Sequence, residues 1–245
     1  MTATDESSLM HRGVARELGI EIIDGDWPLD EARTLEEIQS RFTVSRTVAR
    51  EASRQLEAMG LALTKRRLGM VAQPMAKWNV LDPTLINWRL HSAHREEQIY
   101  SLTQLRLAVE PAAAESAAKF ASIHTRARLL PLAAEMRRTG EAGDLQEFMR
   151  FDIEFHRLLL ESCGNEMFAA LGAHVAAVLQ GRTEMGLMPA KPKPEALDGH
   201  EAVAEAIFRG DPDAARHAMM EVLDEVRSAF AAVEQARTAA AHTGQ

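Results

Sequence analysis

Three groups of side chains have types and spacings that could do chemistry. Arg46, Arg50 and Arg54 recur every four residues, which on a helix lines three guanidiniums along one face. Ser45 and Thr47 flank the first of them. An arginine near a helix start can donate both its nitrogens to guanine O6 and N7, and hydroxyls can bond phosphates. Asp152 and His156 stand four apart and therefore share a helix face. His200 lies on an apolar face of a later helix with Val203, Ala204 and Ile207. An Asp-x-x-x-His pair can present two ligands to one ion, and His200 could supply a third. Arg106 sits between Leu102, Leu105 and Val109 on the apolar side of its helix, with Glu110 four residues on; its fork could grip a carboxylate. Each group has a plainer reading. The arginine stripe could be a solvated face paired with Glu51 and Glu57. The Asp–His pair could be a hydrogen bond in a core, with His200 at the surface. Arg106 and Glu110 could form an exposed pair worth about a few tenths of a kcal/mol.

The elements that must position these residues can be read from periodicity and end signals. Residues 8–25 read as a helix with Gly25 as its stop, and the DGDWPLD segment as a turn. A short helix covers 34–41, where Thr34 and Glu37 make a capping box. Ser45 opens a helix to Met59, ended by Gly60. Its Val48, Ala52, Leu56 and Met59 turn to a core while the arginines turn away. Two short helices joined by a tight link are a helix-turn-helix candidate. The β-like runs 61–64 and 70–72 then flank a basic tip, Lys65-Arg66-Arg67-Leu68-Gly69, the shape of a wing. Beyond Pro74 only helices are expected: 82–90, 95–120, 123–139, 142–162, 165–184, 196–209 and 212–240. Their breaks fall at Gly140, Gly164, the loop 189–194 and Gly210-Asp211-Pro212. The expected fold is mainly α. A winged helix-turn-helix (1–75) is followed by a linker helix (76–95) and an all-α antiparallel bundle (96–240).

Composition narrows the function. The chain of 245 residues has a net charge of −8 and a single cysteine, Cys163. One cysteine excludes a disulfide framework or a cysteine-rich metal site and fits a reducing cytoplasm. The polar, acidic start is no signal peptide, and no segment approaches the ~18 apolar residues of a membrane span. The acidic total excludes a uniformly basic nucleic-acid coat. It is unevenly spread, however: residues 1–32 carry −6, residues 33–75 carry +4, and the remainder −6. The basic island coincides with the helix-turn-helix and its wing.

The segment VSRTVAREASRQLEAMGLALTKRRLGMVA (44–72) resembles the winged helix-turn-helix of GntR-type bacterial transcription regulators. Their pattern is roughly V-S-R-T-x-V-R-E-A-L-R-x-L-E-x-x-G-L-V followed by a basic wing with a glycine. The resemblance implies that Arg46 and Arg50 contact operator DNA, and that Gly69 lets the wing enter the minor groove. Two positions depart from the pattern. Glu36 stands where the family usually has an arginine, with Arg33 the candidate replacement, and Ala49 stands in place of a valine.

FDIEFHRLLLESCGN (151–165) and GHEAVAEAIFRGDPDAARHAM (199–219) resemble the FCD effector domain of the FadR branch. That likeness implies a divalent ion, often zinc, at Asp152, His156, His200 and a final histidine, and an effector contact at Asn165. The final position is Val222 here. It lies in an apolar stripe with Met219, Val226, Ala229 and Val233, so water, effector or Glu225 would have to complete the shell. LRLAVEPAAAESAA resembles the first FCD helix, whose arginine, here Arg106, lies in the effector pocket of acid-sensing members. KWNVLDPTLINWRL (77–90) resembles the linker helix of regulators that answer sugar acids such as galactonate.

The expectation is a homodimeric DNA-binding repressor, not an enzyme, released by a small carboxylate. Two alternatives stand beside it: a metal-free sensor of acyl-CoA, and a metal-dependent hydrolase with an open water position at Asp152, His156 and His200.

Overall fold

The computed structural model describes residues 3–184, 186 and 188–229, with side chains from residue 9 to 224 within those limits. The chain divides into two compact units, Met1–Arg95 and Glu96–Gln245. Residues 76–95, expected as a separate linker, fall in the first unit.

The first unit holds helix α1 (Ala3–Asp24), strand β1 (Ala32–Arg33), helices α2 (Leu35–Phe42) and α3 (Arg46–Ala58), strands β2 (Ala62–Lys65) and β3 (Gly69–Ala72), and helix α4 (Pro83–Leu90). The expected capping box is present: the Thr34 side chain accepts from the Glu37 N–H, and Glu37 accepts from the Thr34 N–H. Ser45 caps α3 through the Val48 N–H. Val48, Ala49, Ala52 and Leu56 on the inner face of α3 are buried in one cluster with Val14, Ala15 and Leu18 of α1 and with Leu85 and Trp88 of α4.

The sheet has three strands in the order β1-β3-β2, both pairs antiparallel. β2 and β3 are the expected wing. β1 was not expected: two residues are too few to show a period of two. It pairs Ala32 with Val71 and Arg33 with Met70. Its pairing explains Gly69, whose φ is +113°; a Cβ there would lie 2.6 Å from the Arg33 carbonyl oxygen. Only glycine tolerates that backbone and that closeness.

The second unit is helical: α5 (Arg95–Phe120), α6 (Ile123–Ala142), α7 (Leu145–Ser162), α8 (Glu166–Ala169), α9 (Gly172–Glu184), α10 (Pro194–Arg209) and α11 (Pro212–Ala229). α7 packs on α6 and α9, and α10 packs on α6 and α11. The shared core includes Phe155, Leu159, Met136, Val203, Ile207 and Met219.

Two expectations shift here, and a third lies outside what is described. Gly140 does not end α6; it lies within the helix, where Leu197, Phe148 and Pro192 approach to 3.1–3.3 Å of the place its Cβ would take. The stop is Gly143, in the left-handed region at φ +76°. The helix expected over 165–184 breaks at Ala170–Leu171 into α8 and α9. The last helix is described to Ala229, and the stripe positions Val226, Ala229 and Val233, with the Glu225 side chain, lie outside the described side chains. Among the described residues no helix is long and apolar enough to cross a membrane.

Candidate functional site

Two places gather functional side chains, one in each unit. In the first, the outer face of α3 and the wing border an open cleft of about 650 Å³. Seven cationic side chains line it, against two acids, Glu36 and Glu57. Arg46, Thr47, Arg50 and Arg54 are exposed, as are Lys65, Arg66 and Arg67. The wing tip closes through the Leu68 N–H donating to the Lys65 carbonyl at 3.1 Å, with Arg67 at φ +66°. Arg54 is paired with Glu51 at 2.6 Å, as the solvated-face reading expected. Arg46 meets a carboxylate, that of Glu36, only at 3.9 Å. The structure thus keeps a row of cations on a rigid helix, which is what contact with a duplex groove requires.

Arg33 is placed differently from its neighbours. Its guanidinium pairs with Glu21 of α1 and with Glu31 at 3.3 Å, and stacks 4.3 Å over the Trp27 ring. Only 17% of its side chain is exposed. Arg41 of α2 pairs with the same Glu21. Arg33 therefore ties β1 to α1, a role invisible without β1.

In the second unit five charged or titratable side chains meet in the interior. Arg106 and Glu110 are 2% and 0% exposed, so the expected surface pair is instead a buried one. Arg106 donates Nε to Glu110 Oε1 at 2.9 Å and Nη2 to Oε2 at 3.3 Å. Nη2 also lies 3.1 Å from His156 Nε2. On the other side of that ring, Nδ1 lies 3.2 Å from Glu110 Oε2. Asp152 Oδ1 stands 3.2 Å from His156 Nε2 and 3.5 Å from His200 Nε2, and the two Nε2 atoms are 3.4 Å apart. Phe155 meets both imidazoles edge-on and walls them off.

The hydrogen positions follow from chemistry. A carbonyl oxygen can only accept, so His200 Nδ1, 2.6 Å from the Ala196 carbonyl, carries a hydrogen. A guanidinium can only donate, so in the neutral ring His156 Nε2, 3.1 Å from Arg106 Nη2, carries no hydrogen, and its single lone pair serves either that donor or an ion. Asp152 Oδ1 is buried without a hydrogen-bond partner. With both imidazoles neutral, three acceptor atoms face one another there; a proton on an Nε2 or a cation among them relieves that repulsion. Burial opposes the charge of Asp152, yet the two imidazoles outweigh it and hold its pKa well below the ordinary value. Burial likewise opposes the charge of Glu110, but Arg106 and His156 hold its pKa at about 2. Burial also works against a charge on His156, but the Glu110 carboxylate raises its pKa despite Arg106.

This donor set fits a metal ion. Ligands at ~2.0–2.1 Å around a tetrahedral zinc stand about 3.3–3.4 Å from one another. The three separations here are 3.2, 3.4 and 3.5 Å. His200 is oriented through Nδ1 by the Ala196 carbonyl, in the manner of metal ligands, while His156 Nδ1 lies 3.2 Å from the Glu110 carboxylate without hydrogen-bond geometry. Val222 lines the same cavity, where it offers no ligand, and its Cγ2 fills the space a Gly199 side chain would take.

The cavity measures about 60 Å³. Arg106, Asp152, His156 and His200 line it, joined by Arg182, Lys193 and apolar side chains of α7, α9 and the loop before α10. Sequence reasoning missed Arg182 and Lys193, because nothing local marks a loop lysine as facing a helix 40 residues earlier. It named Glu110 only as a partner of Arg106; the Arg-x-x-x-Glu spacing on an apolar face was the available signal. Asn165 is not among the lining residues. Its Oδ1 accepts from the Met167 and Phe168 N–H groups and caps α8.

Comparison with known proteins matches both units. Residues 11–71 match the family of bacterial regulatory proteins, gntR family, and residues 101–225 match the FCD domain. The chain is 30% identical over 210 residues to the galactonate operon transcriptional repressor of Escherichia coli K12, covering 84% of this chain and 90% of that one. It is also 30% identical over 207 residues to the HTH-type transcriptional repressor NanR of Cronobacter sakazakii, covering 81% and 76%. The solved structure of Streptococcus agalactiae GntR shares the fold, with a TM-score of 0.50 at 22% identity over 89% of this chain and 99% of that one. A DNA-binding domain of this kind joined to an FCD domain makes the protein a transcriptional regulator rather than an enzyme, and the chain belongs to the gntR family of bacterial regulatory proteins, with an FCD effector domain.

Proposed function

We propose that the protein is a homodimeric cytoplasmic repressor whose hold on its operator is released by a small carboxylate, a sugar acid, bound beside a divalent ion in the second unit. The observation that carries this reading is the convergence of Asp152, His156 and His200 on one point beside the buried guanidinium of Arg106. Those three would hold the ion, zinc by their chemistry. Bound there, the ion supplies positive charge to a carboxylate or hydroxyl oxygen. Arg106 Nη1 is buried with no hydrogen-bond partner and so offers a waiting donor to the same ligand. Arg182 and Lys193 in the lining add to the preference for an anion. The relatives' names support the sugar-acid class, since one represses a galactonate operon. Asn165, committed as a helix cap, drops out of the effector contacts.

A cavity of about 60 Å³ is far below the ~300–1,000 Å³ of ordinary ligand pockets. A six-carbon acid must therefore push the lining apart, and an acyl-CoA would have to do so much further. On the DNA face, Arg46 and Arg50 reach base edges, Ser45, Thr47, Lys65, Arg66 and Arg67 engage phosphate or the minor groove, and Arg33 positions the base of the wing. Two such faces on a dimer would read the two halves of a symmetric operator.

The test is a thermal-shift panel of aldonates, uronates, small hydroxy acids and acyl-CoA, with zinc and with a chelator, followed by gel shifts with any hit. A sugar acid is expected to raise the melting temperature, more so with zinc, and to free the DNA. A panel in which only acyl-CoA acts overturns the carboxylate reading. Arg46→Ala and Arg50→Ala are each expected to abolish the shifted band; a band that both leave intact overturns the DNA face.

A further inference from the structure

The DNA face carries one acid with no structural task. Glu57 is accounted for: its Oε1 accepts from the Thr64 N–H at 2.8 Å and joins α3 to the wing. Glu37, at the start of α2, closes the capping box. Glu36 does neither. Its side chain is 71% exposed, it borders the cationic cleft, and its charged neighbour is Arg46, at 3.9 Å and 68% exposed. A carboxylate so placed meets the phosphates of any duplex that enters the cleft. It also draws the guanidinium of Arg46 towards itself.

We propose that Glu36 sets the sequence selectivity of the DNA face by competing with DNA for Arg46. The proposal rests on α3 being the reading helix. An exposed pair of this kind is weak, so a well-placed base edge can displace it. Guanine O6 and N7 take both nitrogens of an arginine at once and repay the exchange. A phosphate met at random gives a looser contact and still faces the carboxylate. Non-specific binding depends almost wholly on phosphates, and so it loses more to Glu36 than a correct site does. The residue raises the ratio of specific to non-specific affinity while lowering both.

The experiment uses the full chain and sites selected from a pool of random duplexes by the wild-type protein. Affinities for the selected site and for a random duplex are then measured by fluorescence anisotropy at about 50 and 200 mM salt. Glu36→Gln removes the charge at an exposed position. It is expected to bind the random duplex about 3–10-fold more tightly at the lower salt, with the gain shrinking at the higher salt. The ratio of selected to random affinity is expected to fall at least ~3-fold. In an Arg46→Ala background, where the selected site itself is lost, the same change should give a much smaller gain in random-duplex affinity.

Equal random-duplex affinity for wild type and Glu36→Gln overturns the proposal. So does a loss of selected-site affinity alone, which would make Glu36 a direct acceptor from a base. A full effect persisting without Arg46 overturns it too. If Glu36 served only as a first-turn helix acid, the melting temperature would fall and the ratio would stay. If the wild type selects no sequence at all, the reading helix itself fails, an outcome distinct from the rest.

Discussion

At the scale of single residues, the chain shows what happens when a ligand position is filled by a hydrocarbon. Val222 lines the cavity of Asp152, His156 and His200 and packs where a Gly199 side chain would otherwise be. In the proposed site, three protein ligands would leave a position on the ion open to the effector. Restoring an imidazole should close it. Val222→His is expected to tighten zinc binding at least ~10-fold, read by competition with a chromophoric chelator, and to blunt the response to the acid. Unchanged zinc affinity would mean that position 222 does not face the ion. The same three ligands show what spacing can and cannot tell. Asp152 and His156 were legible because four residues make one helical turn. Their meeting with His200 was legible only as the oddity of a polar residue on each of two apolar faces. Arg182 and Lys193 left no such mark, since their place in the lining depends on how α9 and the following loop return to α7.

At the scale of elements, Glu21 fastens the DNA-binding unit. One carboxylate on α1 takes Arg33 of β1 and Arg41 of α2, joining the first three elements of the chain. Partial burial opposes its charge, but the two guanidiniums prevail and lower its pKa below the ordinary 4.5. A carboxylate with a lowered folded-state pKa lends its stability fully above the unfolded value, and loses it as the pH falls through the folded one. Glu21→Gln is therefore expected to destabilise the first unit by about 1–3 kcal/mol at pH 7, and the gap from wild type should narrow below pH 4.5. Melting curves at several pH values check this; a gap independent of pH would assign the loss to packing. This fastening was hidden in the sequence for a physical reason. Helices announce themselves through caps and stripes, and α2, α3 and α4 begin at the Thr34, Ser45 and Asp82 caps. A two-residue strand announces nothing. With β1 unseen, Arg33 read as a free cation near DNA. Gly140 misleads in the opposite way: in the sequence it reads as a stop, and in the structure it is a gap for Leu197, Phe148 and Pro192.

At the scale of the whole molecule, the net charge of −8 combines a reading region of +4 with −6 before it and −6 after it in the sequence. Acidic surroundings weaken the sequence-independent part of DNA affinity. On the proposed DNA face, operator binding would then lean on Arg46 and Arg50, and a modest bias would release it. The size of that bias can be measured from either side. If the acid and the operator act through one shared equilibrium of the protein, the factor by which the acid weakens operator binding must equal the factor by which the operator weakens acid binding. Couplings of this kind typically run to about 5–150-fold. Calorimetric titration of the acid into free protein and into protein saturated with operator gives one factor, and anisotropy titration of operator with and without saturating acid gives the other. Equal factors are expected, and both should shrink together in Arg106→Lys, which keeps the charge but gives up the two-pronged grip on Glu110 and the contact with His156. Unequal factors would mean that the acid changes something outside that equilibrium, such as the number of protomers that meet the DNA, and that release proceeds by taking the dimer apart.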